Sequence, residues 1–265
     1  MDHNLDVLFL CLGHGNSRKF LEQNDLDDNL KIIDLSHDFR LEKDASFERR
    51  HFVYGLPETN KKQIAEAQNI ANPGCFATAI QEALLPLAAR GWLTNDIHVN
   101  AITGSTGAGQ SLSETLHYSW RNNNVSIYKP FTHQHLGEII ETLSGLNQQN
   151  LGSINFIPVR GNFTRGIFGS LYTKTDKSLN ESIELYDNYF QNEPFVHVST
   201  QPIHLKQVIN TNNCVLHLEK HGDNLLITSV IDNLIKGAAG QAVQNMNLIF
   251  GRDEKEGLAL KASNF

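Results

Sequence analysis

The run Asn72-Pro73-Gly74-Cys75 constrains this chain more than any other stretch. Proline lacks a backbone N–H, fixes φ and pushes the residue before it out of the helical region. Pro73-Gly74 is therefore a turn that neither a helix nor a central strand runs through. Directly after it, residues 76–90 read as one helix, with Ile80, Leu84, Leu87 and Ala88 on one face and Gly91 as its stop. Cys75 then stands in the first turn of a helix. The unpaired N–H groups and the positive dipole end favour a thiolate there. A thiolate is a competent nucleophile at neutral pH. A turn cysteine is also commonly a small buried apolar residue, so its neighbours decide between the two readings.

The region upstream sets the fold class. Residues 5–12 form a compact apolar run ending at Gly13-His14-Gly15, which predicts a buried strand and a tight turn. Residues 16–23 predict a short helix capped by Asn16 or Ser17, and residues 30–36 a second buried strand. Strand–helix–strand is the unit of a parallel sheet covered by helices. Residues 40–62 are polar and read as a long functional loop, and residues 64–70 as a short helix or strand.

The texture then changes. Residues 97–103 alternate at period two, as a half-buried strand does, and lead into the glycine-rich loop at 104–109. A helix is expected over 136–143 and another over 180–191. Strands are expected at 155–159, 166–173, 203–208, 215–220 and 224–231. Strands with two or three helices make a mixed α+β unit. Residues 237–248 predict a last helix rich in small residues, which allow close backbone approach. The expected class is α/β plus α+β: an incomplete Rossmann-like parallel sheet with a mixed-sheet catalytic domain inserted. Residues 1–72 and 235–265 form the first part and 73–234 the second.

Charge and cysteine usage exclude several classes. A net charge of -7 with scattered Lys and Arg shows no basic face, so nucleic acid is not an expected partner. No apolar run approaches the roughly 18–20 residues of a membrane helix, and Met1-Asp2-His3-Asn4 carries no signal pattern. Cys11, Cys75 and Cys214 are odd in number and far apart, which argues for a reducing, cytoplasmic compartment and against a structural zinc site.

Further along lies Thr132-His133-Gln134-His135-Leu136-Gly137-Glu138. His135 and Glu138 share a helix face at i, i+3, and a carboxylate is a common partner for orienting an acid/base imidazole. Alone, the same residues describe an ordinary helix start. Beside a thiolate candidate, a Cys–His pair is the better reading, with His133 as the alternative base. Arg40 follows a strand end, where open α/β sheets take ligands. Its guanidinium there either grips an anion bidentately or stays solvated. Arg160 and Arg165 are candidates of the same kind. Gly107, Ala108 and Gly109 sit in a loop able to present backbone N–H groups to an anion, without a Walker sequence.

Together these segments resemble the N-acetyl-gamma-glutamyl-phosphate reductase family, relatives of aspartate-semialdehyde dehydrogenase. Asn72-Pro73-Gly74-Cys75-Phe76-Ala77-Thr78, with Ala83-Leu84-Leu85-Pro86 behind it, is similar to the family's active-site signature. Asp34-Leu35-Ser36-His37-Asp38-Phe39-Arg40 is similar to its substrate-loop arginine segment. The stretch 103–109 resembles its Ser-Gly-Ala-Gly loop, and His133-Gln134-His135 with Glu138-Ile139 its His-x-His segment. Asp232-Asn233-Leu234-Ile235-Lys236-Gly237-Ala238-Ala239-Gly240 resembles its cofactor-side helix.

The resemblance implies an NADPH-dependent reductase of arginine biosynthesis that acts on an N-acyl-glutamyl 5-phosphate. It implies Cys75 as thioester-forming nucleophile, His135 as acid/base oriented by Glu138, and Arg40, Arg160 and Arg165 on substrate anions. Gly107, Ala108, Gly109 and Asn233 would lie against NADP(H). The partners implied are a small acyl phosphate and further copies of the chain, as a dimer or tetramer.

One departure stands out. No Gly-x-Gly-x-x-Gly joins a strand to a helix near the start. The first strand resembles a later strand of a dinucleotide domain, so roughly 60–70 residues of such a domain are expected to be missing, leaving residues 5–12 as a sheet edge. Two other classes follow from that: a cofactor-deficient fragment or scaffold without turnover, and a Cys–His acyl hydrolase.

Overall fold

In the computed structural model of the chain, residues 5–109 and 111–263 are described. Met1 to Asn4, where a signal pattern was sought, lie outside them. The chain divides into two compact units, one up to Gly74 together with Ala238–Ala259, the other Cys75–Gly237 with Leu260 onward.

The first unit is an α/β sheet. Its elements are β1 (Val7–Leu10), α1 (Ser17–Gln23), β2 (Lys31–Asp34), β3 (Ser46–Phe47), β4 (Arg50–Tyr54), α2 (Pro57–Glu66) and β5 (Asn69–Ala71). Strand order is β1-β2-β5-β4-β3. All pairs are parallel except β3 with β4, and β1 is an edge strand. Successive strand side chains point to opposite faces. Ile32 accordingly packs with Leu10, Leu21, Leu26, Phe39 and Phe52 on one face. Its neighbour Ile33 packs with Ile64, Ile70, Ala242 and Ile249 on the other. Each fully buried isoleucine is worth about 2 kcal/mol of transfer free energy. The last helix of the chain, Gly240–Ile249, returns to this unit and lies against α2.

Residues 40–62, expected as a loop, instead hold a hairpin and the start of α2. The polarity that suggested a loop is deceptive. Arg50 is buried, and its guanidinium donates to the carbonyls of Leu26 (3.3 Å), Asp27 (2.7 Å) and Leu30 (3.2 Å) and to Asn69 Oδ1 (3.1 Å). Phe52 stacks on Phe39 with centroids 4.1 Å apart. Charge that is paired to backbone inside a fold looks in sequence like charge facing water.

The second unit is a seven-stranded mixed sheet. Its elements are α3 (Cys75–Ala89), β6 (Ile97–Thr103), α4 (Tyr118–Arg121), β7 (Ser126–Ile127), α5 (His135–Leu146), β8 (Ile154–Arg160), β9 (Ile167–Lys174), α6 (Leu179–Phe190), β10 (Val196–Ser199), β11 (Cys214–His221) and β12 (Asn224–Ile231). Strand order is β10-β11-β12-β9-β6-β8-β7. Helix α3 packs on β9, β11 and β12 and is flanked by α5 and α6. It is buried nearly all round, Thr78, Gln81 and Glu82 included, rather than on the single face expected. A helix buried on every side is a core element, not a surface one. Gly91, at φ +68, closes it.

The strand expected at 203–208 is instead a turn around Leu205–Gln207. Its apolar residues Ile203 and Val208 pack into a small cluster with Val230, so they are buried without pairing. The edge strands are β10, at one end, and β7, at the other; neither was expected as a strand. Ile235–Ala239 forms a π-turn leading to the last helix.

Candidate active site

The turn before Cys75 is tied down at four points within the first unit. The Asn72 N–H donates to the Asp34 carbonyl (2.8 Å) and Arg40 Nε donates to the Asn72 carbonyl (2.8 Å). Asn245 Nδ2 donates to Asn72 Oδ1 (3.1 Å), and Asn72 Nδ2 to the Ala238 carbonyl (3.2 Å). Arg40 is buried, and its Nη2 also donates to the Leu35 carbonyl (3.0 Å). Two of its donor nitrogens therefore brace backbone, which makes the arginine a strut of the Asn-Pro-Gly turn.

Cys75 is the first residue of α3 and is half-buried, whereas Cys11 is exposed and Cys214 buried. Burial, then the charge of Glu82, push the Cys214 thiol well up, so it stays protonated. Gly237 lies against the nucleophile candidate. A Cβ on it would sit 2.7 Å from Cys75 Cβ and 3.1 Å from Cys75 Cα.

The second unit brings His133, His135 and Glu138 together around the residue after the cysteine. Phe76 packs edge-on against His133 (centroids 5.4 Å) and His135 (6.4 Å), and the two imidazoles are 4.6 Å apart. All three polar side chains are buried. The His135 N–H donates to His133 Nδ1 (3.2 Å), which leaves the proton of a neutral His133 on Nε2. Glu138 Oε1 is 4.0 Å from His135 Nε2, too long for a hydrogen bond.

Arg160 and Arg165 have different surroundings. Arg165 forms a two-point ion pair with buried Asp232, Nε–Oδ2 2.9 Å and Nη2–Oδ1 3.1 Å. Asp232 in turn accepts N–H bonds from Asn210, Leu234 and Ile235. Arg165 thus braces the 232–237 segment. Arg160 lies over the Tyr128 ring, 4.4 Å from its centroid, and its buried Nε has no hydrogen-bond partner among the described residues. Arg160 also hydrogen-bonds the Tyr128 phenol and has no carboxylate partner among the described residues, so its charge is suited to an anion.

Tyr128 is a neighbour of these candidates that the sequence did not single out. Its ring meets His133 edge-on at 5.7 Å. Burial foremost, then the charge of a Cys75 thiolate, push its phenol up against the pull of Arg160. It therefore keeps its proton at neutral pH and is available as a donor. The only sequence signal was an aromatic five residues before His133.

The glycine-rich loop is a turn at Ser105–Ala108 with Gly107 and Gly109 exposed and Ala108 half-exposed. Asn233 pins it: Nδ2 donates to Thr106 Oγ1 (3.2 Å), while Oδ1 accepts the Gly166 N–H. Both ends of that amide are engaged inside the protein. In the first unit, the loops after β1 and β2 sit at the carboxyl ends of adjacent parallel strands, the usual ligand edge of an open sheet. Gly13 and Gly15 have φ of +80 and +77, and nothing lies within 4 Å of a Cβ placed on Gly15. That open, glycine-bearing edge fits a dinucleotide.

The family model for the NAD binding domain of semialdehyde dehydrogenase matches residues 2–67, and the model for its dimerisation domain matches residues 75–233. A curated N-acetyl-gamma-glutamyl-phosphate reductase from Flavobacterium johnsoniae is 60% identical over 262 residues, covering 99% of this chain and 81% of its own length. The chain belongs to the N-acetyl-gamma-glutamyl-phosphate reductase family. A protein of the same name from Bacteroides thetaiotaomicron is 54% identical over 261 residues, covering 98% of this chain and 80% of its own.

Among solved structures, aspartate semialdehyde dehydrogenase II from Vibrio cholerae has a TM-score of 0.71, covers 92% of this chain and 79% of its own, and is 17% identical. That likeness speaks for the shared fold: a Rossmann-like sheet and a mixed-sheet domain. The match over residues 2–67 makes this unit part of an NAD binding domain, and no Gly-x-Gly-x-x-Gly is present in the sequence. Among the described residues no helix is long and apolar enough to cross a membrane.

Proposed function

We propose that this chain catalyses the reduction of an N-acyl-L-glutamyl 5-phosphate to the 5-semialdehyde with release of phosphate, using NADPH, in arginine biosynthesis. The observation that carries this reading is Cys75 as first residue of α3, followed by Phe76 packed on the buried His133 and His135, in a chain 60% identical to a reductase of that name.

The Cys75 thiolate attacks the acyl-phosphate carbonyl carbon. The bond to the phosphate oxygen breaks, phosphate departs, and a thioester forms on Sγ. The nicotinamide dinucleotide supplies a hydride equivalent. His135, with Glu138 beside it, gives a proton to the oxygen of the resulting thiohemiacetal and takes it back as the C–S bond breaks. Aldehyde leaves and Cys75 returns as thiolate. Arg160, beside the phenol of Tyr128, holds an anionic group of the substrate. Arg40 braces the Asn72 turn of the first unit, and Arg165 the 232–237 segment of the second. In the first unit the loops after β1 and β2 would hold the dinucleotide; Gly107, Ala108, Gly109 and Asn233 are the residues of the second unit assigned to the same cofactor.

Fluorescence titration should give micromolar NADPH binding, and the protein should oxidise the semialdehyde with NADP only when phosphate is present. A folded protein that does neither overturns the reading. The acid/base assignment has its own test. His135→Asn should lower kcat by about 10²–10⁴-fold, the usual worth of a positioned proton donor, with a smaller loss for His133→Asn. The reverse order moves the role to His133.

The second unit is also the proposed self-association surface. Its sheet carries α3, α5 and α6 on one face, while the other bears half-exposed residues, Tyr172 and His98 stacked at 4.7 Å among them. Tyr172, Ile127 and Val125 are exposed apolar residues on or beside it. An apolar face of this kind is usually covered by a partner, and a second copy is the partner expected of a dimerisation domain. Sedimentation should give a dimer or tetramer, and Tyr172→Glu should weaken it. A wild-type monomer at micromolar concentration would rule the surface out.

A further inference from the structure

A buried ion pair lies along the helix that starts at Cys75. Glu82 and Lys236 are both fully buried, with Nζ 3.2 Å from Oε1. Enclosing two opposite charges is rarely a net source of stability, because desolvation offsets their attraction. Its position suggests another use. Glu82 is seven residues beyond Cys75 on α3, two turns along and on the same side. Lys236 directly precedes Gly237, whose backbone bears on Cys75 so closely that a Cβ would be 2.7 Å from the cysteine's own. The segment 235–239 therefore meets α3 twice: backbone against Cys75, and ammonium against Glu82. The segment is a π-turn, a rare geometry often found at functional sites.

The far side of the pair is anchored as well. Lys236 Nζ lies 5.9 Å from the Phe195 ring centroid. The Cys214 thiol hydrogen-bonds Glu82, and Cys214 Sγ is 3.7 Å from Ser229 Oγ. Ser229 donates to the Ala79 carbonyl of α3 (2.9 Å). The helix, the π-turn and strands β11 and β12 thus converge on these two charges.

We propose that the Glu82–Lys236 pair is a positioning device that sets the π-turn against Cys75 and so holds the thiol over the N-terminus of α3. This rests on Cys75 being the nucleophile. Neither residue touches substrate in this scheme. They act through Gly237. With the pair gone, the π-turn is free to shift along α3, and the thiol leaves the ring of N–H donors that favours its ionised form.

The test is iodoacetamide alkylation of the full chain across pH, read on the peptide carrying Cys75 so that exposed Cys11 does not contribute. The apolar double variant Glu82→Leu/Lys236→Met removes both charges and leaves none unpaired. It should fold by circular dichroism, yet its alkylation midpoint should rise by about one pH unit as the thiolate loses its seat. Its kcat should fall roughly tenfold or more with KM little changed, as expected when a transition-state alignment is lost. Lys236→Arg, which keeps the charge, should stay near the wild-type midpoint. A folded double variant with the wild-type midpoint overturns the proposal. If the double variant does not fold, the isosteric Glu82→Gln is read in the same way, and an unchanged midpoint again overturns it. Alkylation needs neither acyl phosphate nor dinucleotide. Wild-type protein that alkylates as expected but does not turn over would count against the reductase reading and not against this one.

Discussion

Cys75→Ser is expected to abolish phosphate-dependent oxidation of the semialdehyde, with a loss of roughly 10³-fold or more in kcat/KM, as for other covalent nucleophiles. A helix N-terminus favours the thiolate form of a cysteine, whereas an alcohol there keeps its proton. The helix N-terminus stabilises an anion by about 1–2 kcal/mol in favourable partly buried geometry, far short of what a hydroxyl needs to ionise. The exchange of sulfur for oxygen removes almost no volume and cuts no hydrogen bond of the Asn72 turn. The thermal midpoint should therefore stay near wild type, which separates chemistry from folding. Steady-state rates with NADP, phosphate and semialdehyde check it. A variant within tenfold of wild type removes Cys75 from the mechanism, and the thioester with it.

Gly237→Ala should also be damaging although residue 237 has no side chain to lose. The added methyl group would stand 2.7 Å from Cys75 Cβ, 3.1 Å from its Cα and 3.3 Å from Ile231 Cδ1. The first two neighbours belong to the start of a buried helix and do not swing aside as the tip of a long side chain would. Either α3 or the π-turn must move by several tenths of an ångström. A displacement near 1 Å at the reacting atom costs about 100-fold in rate, so this smaller shift should lower kcat by roughly ten- to 100-fold. Overpacking should cost about 1–3 kcal/mol in stability, a fall of several degrees in thermal midpoint. Near-normal kcat would mean that the contact is soft, and would also weaken the coupling of Lys236 to Cys75.

The two variants probe different links. Cys75 was legible from sequence because its signal is local: a proline, a glycine and a cysteine, then a helical period. Backbone sterics make that turn in any context. The parallel strands β1 and β2 were legible for the same reason, as short apolar runs bounded by turn residues. His133, His135 and Glu138 stood out by chemistry and spacing, and the structure does bring them together beside Phe76.

Other features left no local trace. Arg40, Arg50 and Arg165 read alike in sequence, as charged residues in polar stretches. In the fold, all three guanidiniums brace backbone or a buried carboxylate. Arg160 instead lies over the Tyr128 ring and has no carboxylate partner among the described residues. Nothing short of three-dimensional packing separates a strut from a ligand-binding arginine. Residues 40–62 misled for the same reason, since their buried polar groups pair with partners distant in sequence.

By itself the sequence determined the order of elements, the α/β and mixed-sheet division, the placement of a thiol at a helix start and the family. Each of these depends on neighbours within a few residues, where steric rules and periodicity act. Tertiary structure alone decided which arginines are tied to backbone or a buried carboxylate, that Tyr128 joins the histidines, and that Gly237 and the Glu82–Lys236 pair converge on the helix of Cys75. Those contacts join residues far apart in the chain, and distance in sequence carries no information about distance in space until the core has packed.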